Sequence, residues 1–382
     1  MIDGPLTEAK LRASLWPRFT RARARPGIYL ANHSLGWPPD RMAQDVQDTL
    51  EAWYAELGGA WTRWEAERER FRALTAKLVG AKRADCIVPK TSAGQGLRAV
   101  LGALTGATRG KLRVVASDGE FDSLDFILRV WREQGRIELR LQPWRELSTG
   151  AAGLVVLSTV QFRSGEVVTD LARRIRAAHT AGALVLLDVY HHAGALPLDL
   201  DALGADFAVG GSYKYTRGGP GACWLYVRPG LVETLRTPDT GWFAKADMFR
   251  YERPDPPEFA AGGNAWLEST PPVVAIAQAL AGLEVTLALG AERIRAYGLE
   301  QKARLAERLK AQGVACGGEG AAHGAFLTLR HAQADRLVQA LEAAGVTCDA
   351  RGETLRLCPD VLNSEAELAA AAQAVAKVLR AA

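Results

Sequence analysis

From residue 85 onward, short runs rich in Val, Leu and Ile alternate with stretches whose apolar positions recur every three or four residues. That alternation is the pattern of βαβ units and a largely parallel sheet. The runs predict strands over 111–116, 137–142, 153–158, 183–188, 206–210 and 222–227, with an apolar Cys86-Ile-Val-Pro segment as the first strand ahead of them. Helices fall between the strands, one of them capped by Thr169 and carrying an apolar stripe of Leu171, Ile175 and Ala178. Ahead of the sheet, Trp64, Phe71, Leu74 and Leu78 recur at helical spacing and read as core. Pro271-Pro272 opens a long Ala/Leu-rich helical region towards residue 312. A strand at 325–329, a helix at 332–344, two short strands within 346–358 and a terminal helix from Ser364 then predict a compact α+β unit. The Pro-rich 253–257 reads as a surface loop. The pattern divides the chain into an amino-terminal segment (1–44), a large α/β domain (45–275) and a small carboxyl-terminal α+β domain (276–382).

At 382 residues, the chain is long enough for roughly two domains. The net charge of +4 arises from 47 basic against 43 acidic residues. The basic residues are scattered through helical stretches, a solvated surface that does not imply nucleic acid. The run from Arg18 to Arg25 is broken by Phe, Thr and Ala and reads as a solvated arm. Cysteines at 86, 223, 316, 348 and 358 form no Cys-x-x-Cys spacing, so neither zinc nor a disulfide framework is expected. A reducing cytoplasm fits that usage. Without an apolar run of about 18 residues, no membrane partner is expected.

Candidate chemistry concentrates between Asp188 and Gly221. Asp188 follows Leu-Val-Leu-Leu at one strand end, and Lys214 lies between Tyr213 and Tyr215 just after another. In a parallel α/β sheet the carboxyl ends of the strands face the ligand crevice, so the two residues should share a pocket. A carboxylate buried there needs a cationic partner. A lysine able to form a Schiff base, beside an acid that can keep a pyridine nitrogen protonated, is the minimum equipment for pyridoxal phosphate chemistry. Thr91-Ser92-Ala-Gly94-Gln-Gly96 opens a helix one element after the first strand, where small residues and free amides suit a phosphate or simply cap the helix. Phe121, at a helix start, suits either stacking on a flat ring or stapling the helix entry. His191 lies three residues beyond Asp188, within reach of the cofactor, whereas His192 reads as structural.

These elements resemble fold type I pyridoxal phosphate enzymes of the class V aminotransferase group, and within it the kynureninases. The resemblance is carried by Asn32-His-Ser34-Leu-Gly36, Asp188-x-x-His191, Ser212-Tyr213-Lys214-Tyr215-x-x-Gly-Gly-Pro-Gly221, Gly241-Trp242-Phe243, Ser269-Thr270-Pro-Pro272, and Asp349-x-Arg351 with Arg356-Leu-x-Pro359. It implies a mainly parallel seven-stranded sheet and a homodimer with shared active sites. It also implies Lys214 as the Schiff-base lysine, Asp188 on the pyridine nitrogen, Tyr213 on the phosphate and as a proton relay, and Thr91 and Ser92 completing the phosphate site. Trp242 and Thr270 would reach that phosphate site from the partner subunit, Arg356 would bind the substrate α-carboxylate, and Ser34 would lie at the substrate mouth. The implied reaction is hydrolysis of L-kynurenine or 3-hydroxykynurenine. Three departures touch the aryl end: no histidine in Gly58-Gly59-Ala60-Trp61, Thr270 in place of an asparagine, and Val361-Leu362 in place of an aromatic. Cysteine desulfurase, aminotransferase and an inactive scaffold are the rival readings.

Overall fold

The computed structural model describes residues 3–381. Seven strands form its central sheet: β1 (Ile87–Lys90), β2 (Leu112–Ser117), β3 (Ile137–Gln142), β4 (Leu154–Ser158), β5 (Leu184–Asp188), β6 (Phe207–Gly211) and β7 (Cys223–Val227), in the order β1-β7-β6-β5-β4-β2-β3. Only β7 runs antiparallel to its neighbours. Strands β1, β4, β6 and β7 are buried along their whole length. Burial on both faces is why they read as continuous apolar runs instead of alternating ones. The parallel register sets Ser158 beside Asp188 at the carboxyl ends of β4 and β5, and Asp188 beside Val209 of β6. Two strands deliver polar side chains to one edge of the sheet.

Helices α1 (Arg41–Glu56), α2 (Trp61–Val79), α3 (Ala93–Ala107), α4 (Asp122–Glu133) and α5 (Leu171–Thr180) surround or precede this sheet. Leu171, Ile175 and Ala178 are buried as their spacing predicts, but the cap of α5 is Asp170 and not Thr169, and it makes no side-chain cap bond. Asp170 faces Arg174 instead, its carboxylate accepting from Nε at 2.7 Å. The Ala/Leu-rich region is two helices, α6 (Val273–Leu289) and α7 (Ala291–Ala311), meeting at 79°. Gly290 makes that corner at φ 79°, a conformation L side chains rarely adopt. No single described helix is long and apolar enough to cross a membrane.

Beyond α7, strands β8 (Leu327–Arg330), β9 (Asp349–Arg351) and β10 (Thr354–Leu357) form an antiparallel sheet in the order β9-β10-β8. Helices α8 (Ala334–Ala343) and α9 (Glu365–Ala381) cover it, and Leu329, Leu337, Leu355 and Leu368 belong to a second hydrophobic core. The amino-terminal segment is stitched to this unit: Ile28 and Tyr29 pair in parallel with Val346 and Thr347, and Trp16 donates its indole N–H to Val361.

Two contacts fix that arrangement to the loop bearing Lys214. Gly36 donates its backbone N–H to the Tyr213 carbonyl at 2.7 Å, and a Cβ there would fall 1.9 Å from the Lys214 carbonyl oxygen. Only glycine admits so close an approach. Arg217 makes a two-pronged ion pair with Asp360, at 3.1 and 2.7 Å, with both side chains at most 4% exposed. Removing one member of such a pair strands the other charge. Arg217→Ala should therefore lower the unfolding free energy by about 3–5 kcal/mol in chemical denaturation. A double Arg217→Met, Asp360→Leu variant should recover most of the loss.

Candidate active site

A cavity of about 190 Å³ opens at the carboxyl ends of β4, β5 and β6. Asp188, Lys214 and His191 line it together, with Ser92, Phe121 and Tyr213 on its walls. Of the nine residues expected at the cofactor, seven line the cavity, Thr91 among them, and the two predicted to come from the partner do not. Trp242 and Thr270 do not line this chain's cavity; Trp242 is half-buried and Thr270 exposed. Ser34 is half-buried outside the lining, and Arg356 is buried just behind it.

Asp188 accepts the Tyr190 backbone N–H at 2.9 Å and has no lysine, arginine or histidine nitrogen within 4.0 Å among the described residues. Burial raises its pKa to about 6 against that hydrogen bond and the more distant attraction of Lys214. Lys214 donates instead to His191 Nε2 at 2.8 Å. Burial pulls the lysine down to about 8, while Asp188 works in the other direction and Arg356 and Arg351 reinforce the drop. Asp188 and Lys214 attract each other, yet both shift towards their neutral forms. Desolvation wins over an ion pair that is never closed. His191 is held neutral by burial and by the adjacent lysine, and its Nδ1 faces the Tyr215 hydroxyl at 3.4 Å. His192 takes the structural role expected of it, contacting Thr159 and the Pro197 carbonyl.

At the opposite wall, Ser92 caps α3 by accepting the Gln95 backbone N–H at 3.1 Å. Its hydroxyl proton is left for the cavity, beside the first amides of the helix, which have no intrahelical partners. Thr91 is arranged differently. Both its backbone N–H and its hydroxyl face Gln95 Oε1, at 2.7 and 3.1 Å. Gln95 is oriented by Glu268, which in turn pairs with the buried Lys90.

Two groups escaped the sequence reading. Glu120 is buried and accepts from Ser158 twice, through the backbone N–H at 2.9 Å and the hydroxyl at 2.5 Å. Tyr190 lines the cavity and places its hydroxyl 3.0 Å from Cys223 Sγ. The strand-end rule that singled out Asp188 applies equally to Ser158; Glu120 precedes a helix and carries no such signal.

The donor set suits pyridoxal phosphate. A buried carboxylate without its own cation can meet a pyridinium, Phe121 offers a face to the ring, and Ser92 with the α3 amides offers donors to the phosphate. Residues 28–355 match the family model described as aminotransferase class-V. The chain belongs to the class V aminotransferase family. A protein of Deinococcus radiodurans named kynureninase is 33% identical over 71% of this chain and 69% of its own length. A kynureninase of Myxococcus xanthus is 30% identical over 71% and 69%. Solved structures extend the likeness in fold. A cystine C–S lyase variant with glycine linked to its pyridoxal phosphate superposes with a TM-score of 0.83 at 18% identity, covering 94% of this chain and 98% of that one. The Escherichia coli cysteine desulfurase CsdA gives 0.81 at 18%, covering 99% and 100%. This class V member is thus a kynureninase-like enzyme with the fold type I architecture, and its cofactor is pyridoxal phosphate.

Burial raises the Glu120 pKa to about 8; the Ser158 hydrogen bonds oppose the shift and Asp188 adds to it. A raised carboxyl contributes stability that is full below its unfolded value and disappears as pH climbs through the folded one. In the cofactor-free protein, Glu120→Gln should gain melting temperature relative to the parent as pH rises from 5 to 9. A pH-independent difference would mean that Glu120 is already ionised at pH 5.

Proposed function

We propose that this enzyme hydrolyses the Cβ–Cγ bond of L-kynurenine or 3-hydroxykynurenine, releasing anthranilate or hydroxyanthranilate and L-alanine. The observation that carries this reading is the agreement among sequence relatives: those at 30–33% identity over about 70% of the chain bear the name kynureninase. The desulfurases and the lyase resemble it at 18% identity and speak for the fold alone.

When bound, the cofactor supplies an electron sink for the substrate's Cα. Asp188 would hold the ring nitrogen, which would compensate its charge. Lys214 would hold the cofactor, and as a free amine would take the Cα proton; its lowered pKa leaves a useful neutral fraction near pH 8. His191 holds the lysine amine at the cavity wall. Burial pushes the Tyr213 hydroxyl up to about 12, so it stays protonated and can donate to the phosphate or relay a proton as water adds to the γ-carbonyl. Addition of that water is followed by cleavage: the acyl carbon leaves as a carboxylic acid and Cβ gains a proton. Arg356 receives the α-carboxylate, and Ser34 lies towards the substrate mouth.

The enzyme acts in this reading as a cytoplasmic homodimer. Tyr54 and Tyr251 are 77% and 71% exposed, and Trp53 and Phe249 are exposed beside Trp61, Trp64 and Trp242, which contact one another edge to face. An aromatic face of that kind suits a second copy, through which Trp242 and Thr270 would reach the neighbouring cavity. Five free cysteines are at home in a reducing compartment. They also weigh against a desulfurase. Four are buried, and the half-buried Cys316 has its pKa raised by burial and by Glu319, the opposite of an activated thiol.

Purified enzyme loaded with cofactor should show a visible absorbance band that is absent in Lys214→Ala, and should release fluorescent anthranilate from L-kynurenine. A full band with no anthranilate would overturn the hydrolase reading and leave the cofactor assignment standing. Sulfide released from cysteine, and abolished by one Cys→Ala change, would replace it with the desulfurase reading.

A further inference from the structure

Behind the cavity wall, Arg356 and Asp349, paired across neighbouring strands, form one hydrogen-bonded array with the distant His33. Arg356 donates from Nε and Nη2 to the two oxygens of Asp349 at 2.9 and 2.6 Å, and its Nη1 donates to the Phe162 carbonyl. Phe162 itself lines the cavity and packs edge-on against Phe121, so the guanidinium is fixed to the backbone of the cavity rim. On its far side Asp349 Oδ1 contacts His33 Nε2 at 2.6 Å. Phe326 supports both ends, 4.9 Å from the His33 ring and 5.3 Å below the Arg356 guanidinium.

Protonation follows from the geometry. Burial weighs against the Asp349 anion, but hydrogen bonds from His33 and Arg356 hold its pKa well below the ordinary carboxylate range. An ionised carboxylate only accepts, so the short contact places the His33 proton on Nε2. The other ring nitrogen, Nδ1, is buried with no hydrogen-bond partner among the described residues. Burial also keeps His33 neutral, with a pKa of about 4. The neutral ring has one N–H, and it donates to Asp349.

A guanidinium carries five N–H donors. Asp349 takes two and Phe162 a third, leaving two for a ligand. We infer that His33 and Asp349 are positioning residues that lock Arg356 with one free edge towards the cavity, so that it grips the α-carboxylate of an amino acid substrate and little else. His33 holds Asp349, Asp349 holds the side-on edge of the guanidinium, and the substrate meets what remains. Arg351 adds a looser contact, its Nη1 3.4 Å from Asp349 Oδ2, on a side chain that is partly exposed. The inference rests on Arg356 as the carboxylate receptor but does not depend on hydrolysis, because any α-amino acid presents the same group.

The test uses enzyme loaded with cofactor, titrated with L-alanine and separately with ethylamine, which lacks the carboxylate, following the shift of the visible band. The wild type should prefer L-alanine. His33→Leu should weaken L-alanine about tenfold, the scale of a lost hydrogen bond to a charged group, and leave ethylamine within about twofold. His33→Gln, which can still donate to Asp349, should restore most of the loss. If His33→Leu yields no folded protein, Asp349→Asn should show the same selective weakening. Equal loss for both amines, or a wild-type preference that survives in His33→Leu and Asp349→Asn, overturns the inference alone. Equal binding of the two amines by the wild type overturns the Arg356 assignment and this inference together.

Discussion

A carboxylate buried at the end of β5 without a cation of its own is the constraint on which the rest of the site depends. Asp188 sits among groups that burial drives towards neutrality: Lys214 loses basicity, His191 stays uncharged, and Glu120 retains its proton. In such surroundings the desolvation of two charges exceeds what their attraction returns unless they touch. Asp188 and Lys214 do not touch, because the lysine nitrogen is spent on His191. The result is a cavity whose polar groups are poised and incompletely paired, and a ligand bringing a protonated ring nitrogen completes what the protein leaves open.

Keeping that cavity in shape falls to contacts distant in sequence. The loop carrying Lys214 is clamped from the amino-terminal segment through Gly36 and from the carboxyl-terminal region through Arg217 and Asp360. Arg217 adopts a left-handed φ of 59°, which an arginine accepts only where its surroundings compensate; the buried ion pair supplies that compensation. Strain in the loop and the pair that offsets it belong to one design. The small unit is therefore more than a cover over the sheet, since it holds the lysine loop as well as Asp349 and Arg356.

The chain displays its local rules openly and hides its long-range ones. Asp188 and Lys214 could be found because each interrupts an apolar strand end, and period and register alone carry a strand's last residue to the crevice. The seven-stranded sheet was legible for the same reason. The bend at Gly290 was not, because a continuous Ala/Leu pattern looks the same whether a helix runs straight or turns on one glycine. The Thr169 cap failed similarly: Thr169 and Asp170 are both capable caps, and the competition was settled by Arg174 one turn on. Glu120 resembles an ordinary acidic residue at a helix start until Ser158 arrives from another strand. His33 and Asp349 are 316 positions apart, and nothing in either neighbourhood announces the other.

The same distinction explains why the cofactor half of the site is better defined than the substrate half. In the proposed reading, the pyridine nitrogen and the Schiff base are met by residues at strand ends and the phosphate first of all by a helix start, elements whose placement the sheet itself dictates. The aryl end of a substrate has no such fixed address. Trp242 and Thr270 lie outside this chain's cavity, and Trp61 stands in an aromatic cluster with Trp64, Trp242 and Phe249 that continues into exposed surface. If that surface is closed by a second copy, the side chains that select the aryl group come from two chains, and a change on either alters the pocket of both active sites. Selectivity for the amino acid end, in the proposed arrangement, is built within one chain, by a guanidinium three of whose donors are already taken. An enzyme organised in this way can change the ring it accepts without disturbing how it holds the α-carboxylate or the cofactor, because the two ends are secured by different cores and different contacts.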